Sequence, residues 1–357
     1  MRIRVDASRP LAEEPATGHN RWHPDLEPIA SVRVGEELTI ECRDGLDGQI
    51  TPDSTPEDVL GMSLGLGHPM TGPIHVEGAE PGDVLEVELL AYEHADIGIA
   101  ALIPGFGFLS DLFPDPYVAG FRLANGVARS PQLPGIAIPA DMVAGNVGVA
   151  PSHALMQEQR AREEELKRRG GAVADDLPHE AVPAAAAPGV RTIPPRENGG
   201  NLDCRGLVAG SRLYLTVHVP GALFSIGDLH FAQGDGETCG TGIEMAGAVT
   251  VRFGLRKQPR WRPRFPAYET PPRPGRRELG TTGVSLTDGG RNESMDLGLA
   301  TRQALLAMID YLTTERGLSA EAAYVLISCC VDLRLSEVVD VPNPLVSAVL
   351  PLEVFES

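Results

Sequence analysis

The chain has 357 residues, 42% of them hydrophobic, with 40 glycines, 31 prolines and a formal net charge of −19. Such a length supports a substantial core, the abundance of turn-forming residues favours short strands, and the negative charge argues against nucleic acid or an anionic membrane as partner, since either needs a positive stripe. Neither an N-terminal apolar run nor eighteen consecutive apolar residues occurs, and the five cysteines lack Cys-x-x-Cys spacing, so the expectation is a soluble cytoplasmic protein with free thiols.

The first polar cluster is Gly18-His19-Asn20-Arg21-Trp22-His23-Pro24-Asp25. Pro24 opposes a helix that would put both histidines on one face, so His19 is either a metal or substrate contact or, with Trp22, the anchor of a loop. From Ser31 to Tyr92 apolar residues recur at period two, as in Leu38, Ile40 and Cys42 and again in Leu85, Val87 and Leu89, which predicts a set of short strands. Asp44 follows the first of these and is a candidate for cation binding or acid–base work, while Asp47-Gly48 reads as a turn. Gly61-Met62-Ser63-Leu64-Gly65 spells a nucleophile elbow, but Gly67 and Pro69 oppose the helix that must follow one. Gly65 and Gly67 instead allow backbone to approach a ligand, with His68 as a candidate substrate contact. Gly78 to Asp83 reads as a strand-linking turn in which Asp83 bonds nearby backbone.

Ala154 to Arg169 is a strong helix former with few apolar positions, and Gly170 to Pro195 reads as a loose connector. Residues 153–195 are therefore expected to be an inserted helix and flexible connector within a single domain spanning 1–357, with a lid as the functional alternative. Asn198-Gly199-Gly200-Asn201-Leu202-Asp203 follows, with Asn201 as a candidate substrate contact. Near the C-terminus, Ser294 is placed to cap a helix reaching Leu312 and Ser319 to cap a second from Ala320 to about Val331, before Pro342 to Phe355 returns to strand. The predicted class is mainly β with added helices (α+β).

The segment richest in chemistry is Gly227 to Glu237, with three carboxylates, one imidazole and one amide in eleven residues. Strand-like patterns at Arg212–Val219 and Cys239–Phe253 flank it, which predicts a turn between strands. Carboxylates this crowded repel unless a cation or proton lies among them, and Asp, Glu and neutral His are the ligand set of zinc or another divalent cation. Were the substrate an amide, a metal-activated water would supply the nucleophile and a neighbouring Glu would carry the proton. Cysteine is a poorer nucleophile here, because Cys239 has no basic neighbour in sequence to lower its pKa.

Several stretches together resemble the acetamidase/formamidase family: His19 to Asp25, Gly72-Pro73 with Val76 to Asp83, Ile103-Pro104-Gly105-Phe106-Gly107, Gly145 to Pro151, Gly199 to Asp203, and Gly227 to Glu237 with Gly242 to Gly247. The resemblance implies a cytoplasmic, generally homo-oligomeric amidohydrolase acting on a small amide, on a jelly-roll-like β-sandwich with C-terminal helices. Carried over by position, Asp203, Asp228, His230 and Asp235 are the metal candidates, for zinc with calcium as the alternative. Glu237 is the candidate base and Glu244 a second acid–base candidate, although in one regular strand Glu244 faces opposite to Glu237. The region between Pro151 and Pro195 departs from the family pattern. A lactam or other cyclic-amide hydrolase, and a sandwich that binds a small ligand without chemistry, are the competing expectations.

Overall fold

The computed structural model describes every residue except 171, 272–277, 286, 288–292, 338–344 and 357. The alternating apolar segments build two large sheets. In the six-stranded sheet the order is Arg2–Ile3, Glu37–Cys42, Gly247–Arg256, Val84–His94, Arg212–Thr216 and Ala267–Glu269. The eleven-stranded sheet contains, side by side, Tyr117–Ala124, Ile97–Leu102, Glu244–Met245, Phe224–His230, Val143–Val149 and Gly199–Asn201, and Met70–Val76 also pairs with Phe224–His230. Leu38, Ile40, Val87 and Phe253 of the first sheet share one core with Val147, Phe224 and Ile226 of the second. Phe224 and Phe253 meet edge to face across it, with ring centroids 5.1 Å apart. Burial of each such side chain contributes about 1.5–3 kcal/mol, so the mainly β expectation is met by two sheets packed on a common core.

Among the described residues four α-helices are added: α1 (Pro56–Gly61), α2 (His153–Arg168), α3 (Leu297–Arg316) and α4 (Ala320–Cys330). The short α1 was not anticipated, although Thr55 and Asp58 form a capping box at its start. α3 is capped by Asp296 rather than by the predicted Ser294, with Asp296 accepting from Leu299 N at 2.9 Å. Both residue types cap well, and the register is set by the buried stripe of Ala300, Ala304, Leu305, Met308 and Leu312. Ser319 caps α4 as predicted. α3 lies against a small third sheet of Glu278–Val284, Leu345–Pro351 and Asp332–Glu337. The first residues of the predicted last strand, 342–344, lie outside the described residues, and its end, Leu352–Val354, is a 3₁₀ turn.

Past α2 the chain forms two 3₁₀ turns, Pro178–Glu180 and Ala184–Ala186, and a strand, Val190–Arg191, that pairs with Arg21–Trp22. None of the five cysteines forms a disulfide. No helix among the described residues is long and apolar enough to cross a membrane.

Candidate functional site

Asp228 and His230 stand at the end of the strand Phe224–His230, not on the predicted turn. The strand-like Arg212–Val219 pattern, which seemed to flank them, ends at Thr216 and belongs to the other sheet. Within Phe224–His230 the alternation slips by one residue: Phe224 and Ile226 join the core, and so do Leu229 and Phe231. The slip falls at Asp228, whose φ of 55° is left-handed, and it puts Asp228 and His230 together on the face away from the core. A non-glycine residue held there costs on the order of 1–3 kcal/mol, and Asp tolerates it better than most. Two glycines make room for the Asp228 carboxylate. A Cβ on Gly45 would lie 1.9 Å from Oδ1, and one on Gly145 would lie 2.6 Å from Oδ2.

Beyond His230 the chain leaves the sheet, makes the turn that carries Glu237 (φ 38°), and returns as Glu244–Met245 with Glu244 directly opposite His230. Sequence spacing had set Glu244 against Glu237 on the assumption of one regular strand; the reversal between them removes that constraint. α4 buttresses the turn. Ser328 O accepts from Gly234 N at 2.8 Å, Ser328 Oγ accepts from Cys239 N at 3.2 Å and donates to Thr241 O at 2.6 Å, and the Tyr324 hydroxyl donates to Thr238 O.

The result is a buried cluster around one imidazole. His230 Nε2 lies 3.1 Å from Glu244 Oε1 and 3.5 Å from Asp228 Oδ1, and Nδ1 lies 3.7 Å from Glu237 Oε1. Two sets, Asp228–His230–Glu244 and Asp203–His230–Glu237, each bring their ligand-type atoms within 4.8 Å of one another. Gln233 orients the ring: its Nε2 donates to Asp203 O at 2.6 Å, which leaves Oε1 to accept from His230 Nδ1 at 2.7 Å. The Nδ1 proton is thereby held away from Asp228 and Glu244, and Nε2 faces them. Asp203 Oδ1, Asp228 Oδ1 and His230 Nε2 are buried without a well-aligned hydrogen bond. Unsatisfied carboxylate and imidazole atoms converging in this way fit a divalent cation.

Burial raises the Asp203 carboxyl, and the nearby Asp228 charge adds to the rise. Glu237 is raised well above its ordinary value by burial and then by Asp203, and Glu244 is pushed up to about 8, chiefly by burial. Asp228 goes the other way: burial favours its neutral form, but His68 and His230 outweigh that and hold it well below the usual carboxylate range. Burial also opposes a charged His230, yet Glu244 and Asp228 raise it well above normal. The cluster as a whole therefore demands positive charge.

The remaining candidates fall into different settings. His68, also left-handed (φ 55°), places Nδ1 3.9 Å from Asp228 Oδ2 and 3.3 Å from Asn146 Nδ2. Asn201 donates to the Asp203 carboxylate. Asp44 spends both oxygens on the backbone N–H groups of Leu46 and Gly48, shaping the turn that presents Gly45. His19 is buried, hydrogen-bonds Ser225 Oγ at 2.8 Å and meets Trp22 edge to face at 5.3 Å, so it anchors strands. Asp235 belongs to neither set; its backbone bonds Asp332 and Leu333. Ser63 sits on a loop with no helix after it, and burial raises the Cys239 thiol, which leaves both poor nucleophiles. Sequence reasoning missed the parts played by Gln233, Gly45 and Gly145. The only available signal was the presence of Gln233 and Gly145 inside the motifs quoted above.

A profile of the acetamidase/formamidase family matches residues 4–357. A formamidase of Methylophilus methylotrophus is 34% identical over 380 residues, covering 99% of this chain and 93% of its own. An acetamidase of Mycolicibacterium smegmatis is 36% identical over 367 residues, covering 90% and 88%. Among solved structures, a γ-lactamase from Delftia acidovorans superposes with a TM-score of 0.94 at 34% identity, covering 100% of this chain and 94% of that one. Likeness of this extent is a matter of the whole chain: it belongs to the acetamidase/formamidase family.

Proposed function

We propose that the protein hydrolyses a short linear amide, of the formamide or acetamide class, to ammonia and the carboxylic acid, with a divalent cation, zinc or alternatively calcium, held by Asp228, His230 and Glu244. The observation that carries this is the convergence of unsatisfied Asp228 and His230 atoms beside Glu244 in a chain of this family. When bound, the cation supplies Lewis-acid activation of water and carbonyl. Gln233 keeps His230 Nε2 turned toward the two carboxylates. Glu237, close to His230 and only 13% exposed at its side chain, is the group suited to take a proton from the attacking water and return it to the departing nitrogen. Its carboxyl is raised by burial and by Asp203, which moves it toward the range in which it can both accept and release a proton. Asp203, oriented by Asn201, completes the negative wall beside it. The enzyme is taken to act in the cytoplasm as a homo-oligomer, a compartment in keeping with five cysteines that form no disulfide.

A second reading, opening of a small lactam by the same groups, is favoured by the superposition on the γ-lactamase. One panel tests both: ammonia release from formamide, acetamide and propionamide, and amino-acid formation from a γ-lactam, before and after chelation, with metal content measured on the same sample. Linear-amide turnover that chelation abolishes and metal restores is the expected result. Ring opening alone would replace the first reading by the second, and metal binding without any turnover would leave a ligand-binding protein.

A further inference from the structure

Asn20, Arg21 and the segment 175–182 have no part in the chemistry above, yet they contain charge placed where burial is expensive. Arg21 is 0% exposed and Arg191 4% exposed. Each guanidinium holds carbonyl oxygens drawn from two separate segments. Arg21 Nη1 donates to Gly65 O at 3.2 Å, while its Nη2 donates to Asp176 O and Leu177 O, both at 3.0 Å. Arg191 repeats the pattern, with Nη2 on Leu64 O and Nη1 on Asp175 O. Asn20 Nδ2 adds Gly65 O at 3.3 Å and Glu180 O at 3.0 Å, and Ser63 Oγ donates to Glu180 Oε2 at 2.7 Å. Burial lowers the pKa of both arginines, Arg21 to about 10, and the Arg191 charge adds to the effect on Arg21. Asp176 and Glu180 offset part of that cost, yet two buried cations whose hydrogen bonds go to neutral carbonyls are a costly way merely to fill space.

What the two arginines grip is the loop that leads to His68. Past Gly65 that loop is fixed at its far end as well: His68 N donates to Gly45 O at 2.7 Å, and His68 O accepts from Thr192 Oγ1 at 3.2 Å. We propose that Arg21 and Arg191 are positioning residues for the reaction: they clamp residues 64–65 to residues 175–177, so that the connector is a fixed wall of the site and His68 is held beside Asp228. The proposal rests on the amidase reading for the part His68 plays in turnover, but not for the clamp itself. A lysine at either place keeps the charge, yet its three donors share one nitrogen and do not span the two segments as the planar fork does.

Arg191→Lys, His68→Ala and the double variant are compared for kcat/KM on formamide, and the wild type and Arg191→Lys for hydrogen exchange. Arg191→Lys is expected to lose about 10- to 100-fold in kcat/KM, the penalty of a misplaced reacting group. In the His68→Ala background it is expected to lose little more, because both changes spoil the same contact. Exchange is expected to quicken in 63–68 and 175–182 together and nowhere else. Additive losses, or unchanged exchange in 63–68, would overturn the proposal. Should Arg191→Lys fail to fold, Ser63→Ala removes the bond to Glu180 and the one that Ser63 Oγ accepts from Gly65 N, leaves both arginines in place, and is expected to loosen the same two segments more mildly. If the wild type turned over no amide, the amidase reading would fall while hydrogen exchange still decided for or against the clamp.

Discussion

Gly45→Ala is the sharpest probe of the cluster. Gly45 has no left-handed φ, so alanine adds volume without backbone strain, and its Cβ would arrive 1.9 Å from Asp228 Oδ1, 3.0 Å from Asp228 Cγ and 2.8 Å from Glu244 Oε2. Ordinary contact begins at 3.4 Å. The oxygen therefore has to retreat by about 3.4 − 1.9 = 1.5 Å. Retreat on the other side is blocked by the strand carrying Gly145, and a shift of Gly45 itself drags His68, whose N–H bonds its carbonyl. Overpacking of this kind costs about 1–3 kcal/mol of stability, which a domain of this size survives. Misplacement of a reacting group by ~1 Å costs about 100-fold in rate. The expectation is thus a folded enzyme with kcat/KM for formamide down by about two orders of magnitude and with weakened metal retention. Gly61→Ala serves as control, because a Cβ there meets nothing within 4 Å. Ammonia release, metal content and thermal melting are measured on all three proteins. A Gly45→Ala enzyme with near-normal turnover and metal would refute the claim that Asp228 is held at the reacting centre.

Glu237→Gln is expected to lower kcat by roughly 100- to 10,000-fold while metal content stays near that of the wild type, since a shuttling base is removed and the Asp228–His230–Glu244 set is untouched. Loss of metal along with activity would instead make Glu237 a ligand. Chelation is expected to lower the melting temperature as well as abolish turnover, because Asp203, Asp228, Glu237 and Glu244 then face one another with less positive charge among them, and the loss should reverse on adding zinc or calcium. His19 yields a pH dependence. Burial lowers its pKa from 6.5 to about 4 in the folded protein. The unfolded chain thus binds the extra proton first, so this contribution is intact above pH 6.5 and declines as pH falls toward 4, by about 3 kcal/mol in all. Denaturant titrations of His19→Gln across that window should show a shallower acid slope than the wild type, and an equal slope would mean that His19 is not the titrating group.

The two sheets were legible because their strands alternate, α2 because of its helix-forming composition, and α4 because the Ser319 cap agreed with the final packing. The heart of the site was legible for a local reason, namely that Asp228, His230 and Glu237 crowd into one short stretch. Its geometry was not. Whether Asp228 belongs to a strand or a turn depends on one left-handed residue, which leaves no mark in an Asp codeable for either. Glu244 returns to His230 because of a chain reversal whose length no periodicity reveals. The connector read as loose because its own residues are chiefly Ala, Gly and Pro, whereas its order comes from Arg21 and Arg191, charges that composition assigns to the surface. In each case the missing information is a contact between segments distant in sequence.

These same contacts explain why the site sits where α4 meets the sheet. Three of the clustered acids, Asp203, Asp228 and Glu237, have left-handed φ values of 43°, 55° and 38°. Each such conformation costs free energy and survives only where surrounding structure over-determines it. For Asp228 that structure is the pairing of its strand with Val143–Val149, for Asp203 the bonds to Gly145 O and from Gln233, and for Glu237 the grip of Tyr324 and Ser328 on its turn. Carboxylates forced together by backbone cannot relieve their repulsion by rotating apart as surface side chains do. They can relieve it only by gaining a proton or a cation, and Gln233, by turning His230 Nε2 toward two of them, adds the neutral donor that protons do not need and a metal does. The strain in this fold and the proposed demand for a divalent ion are consequences of one arrangement, so a variant that loosens the pairing of the Asp228 strand with Val143–Val149 should lower metal content without touching a ligand.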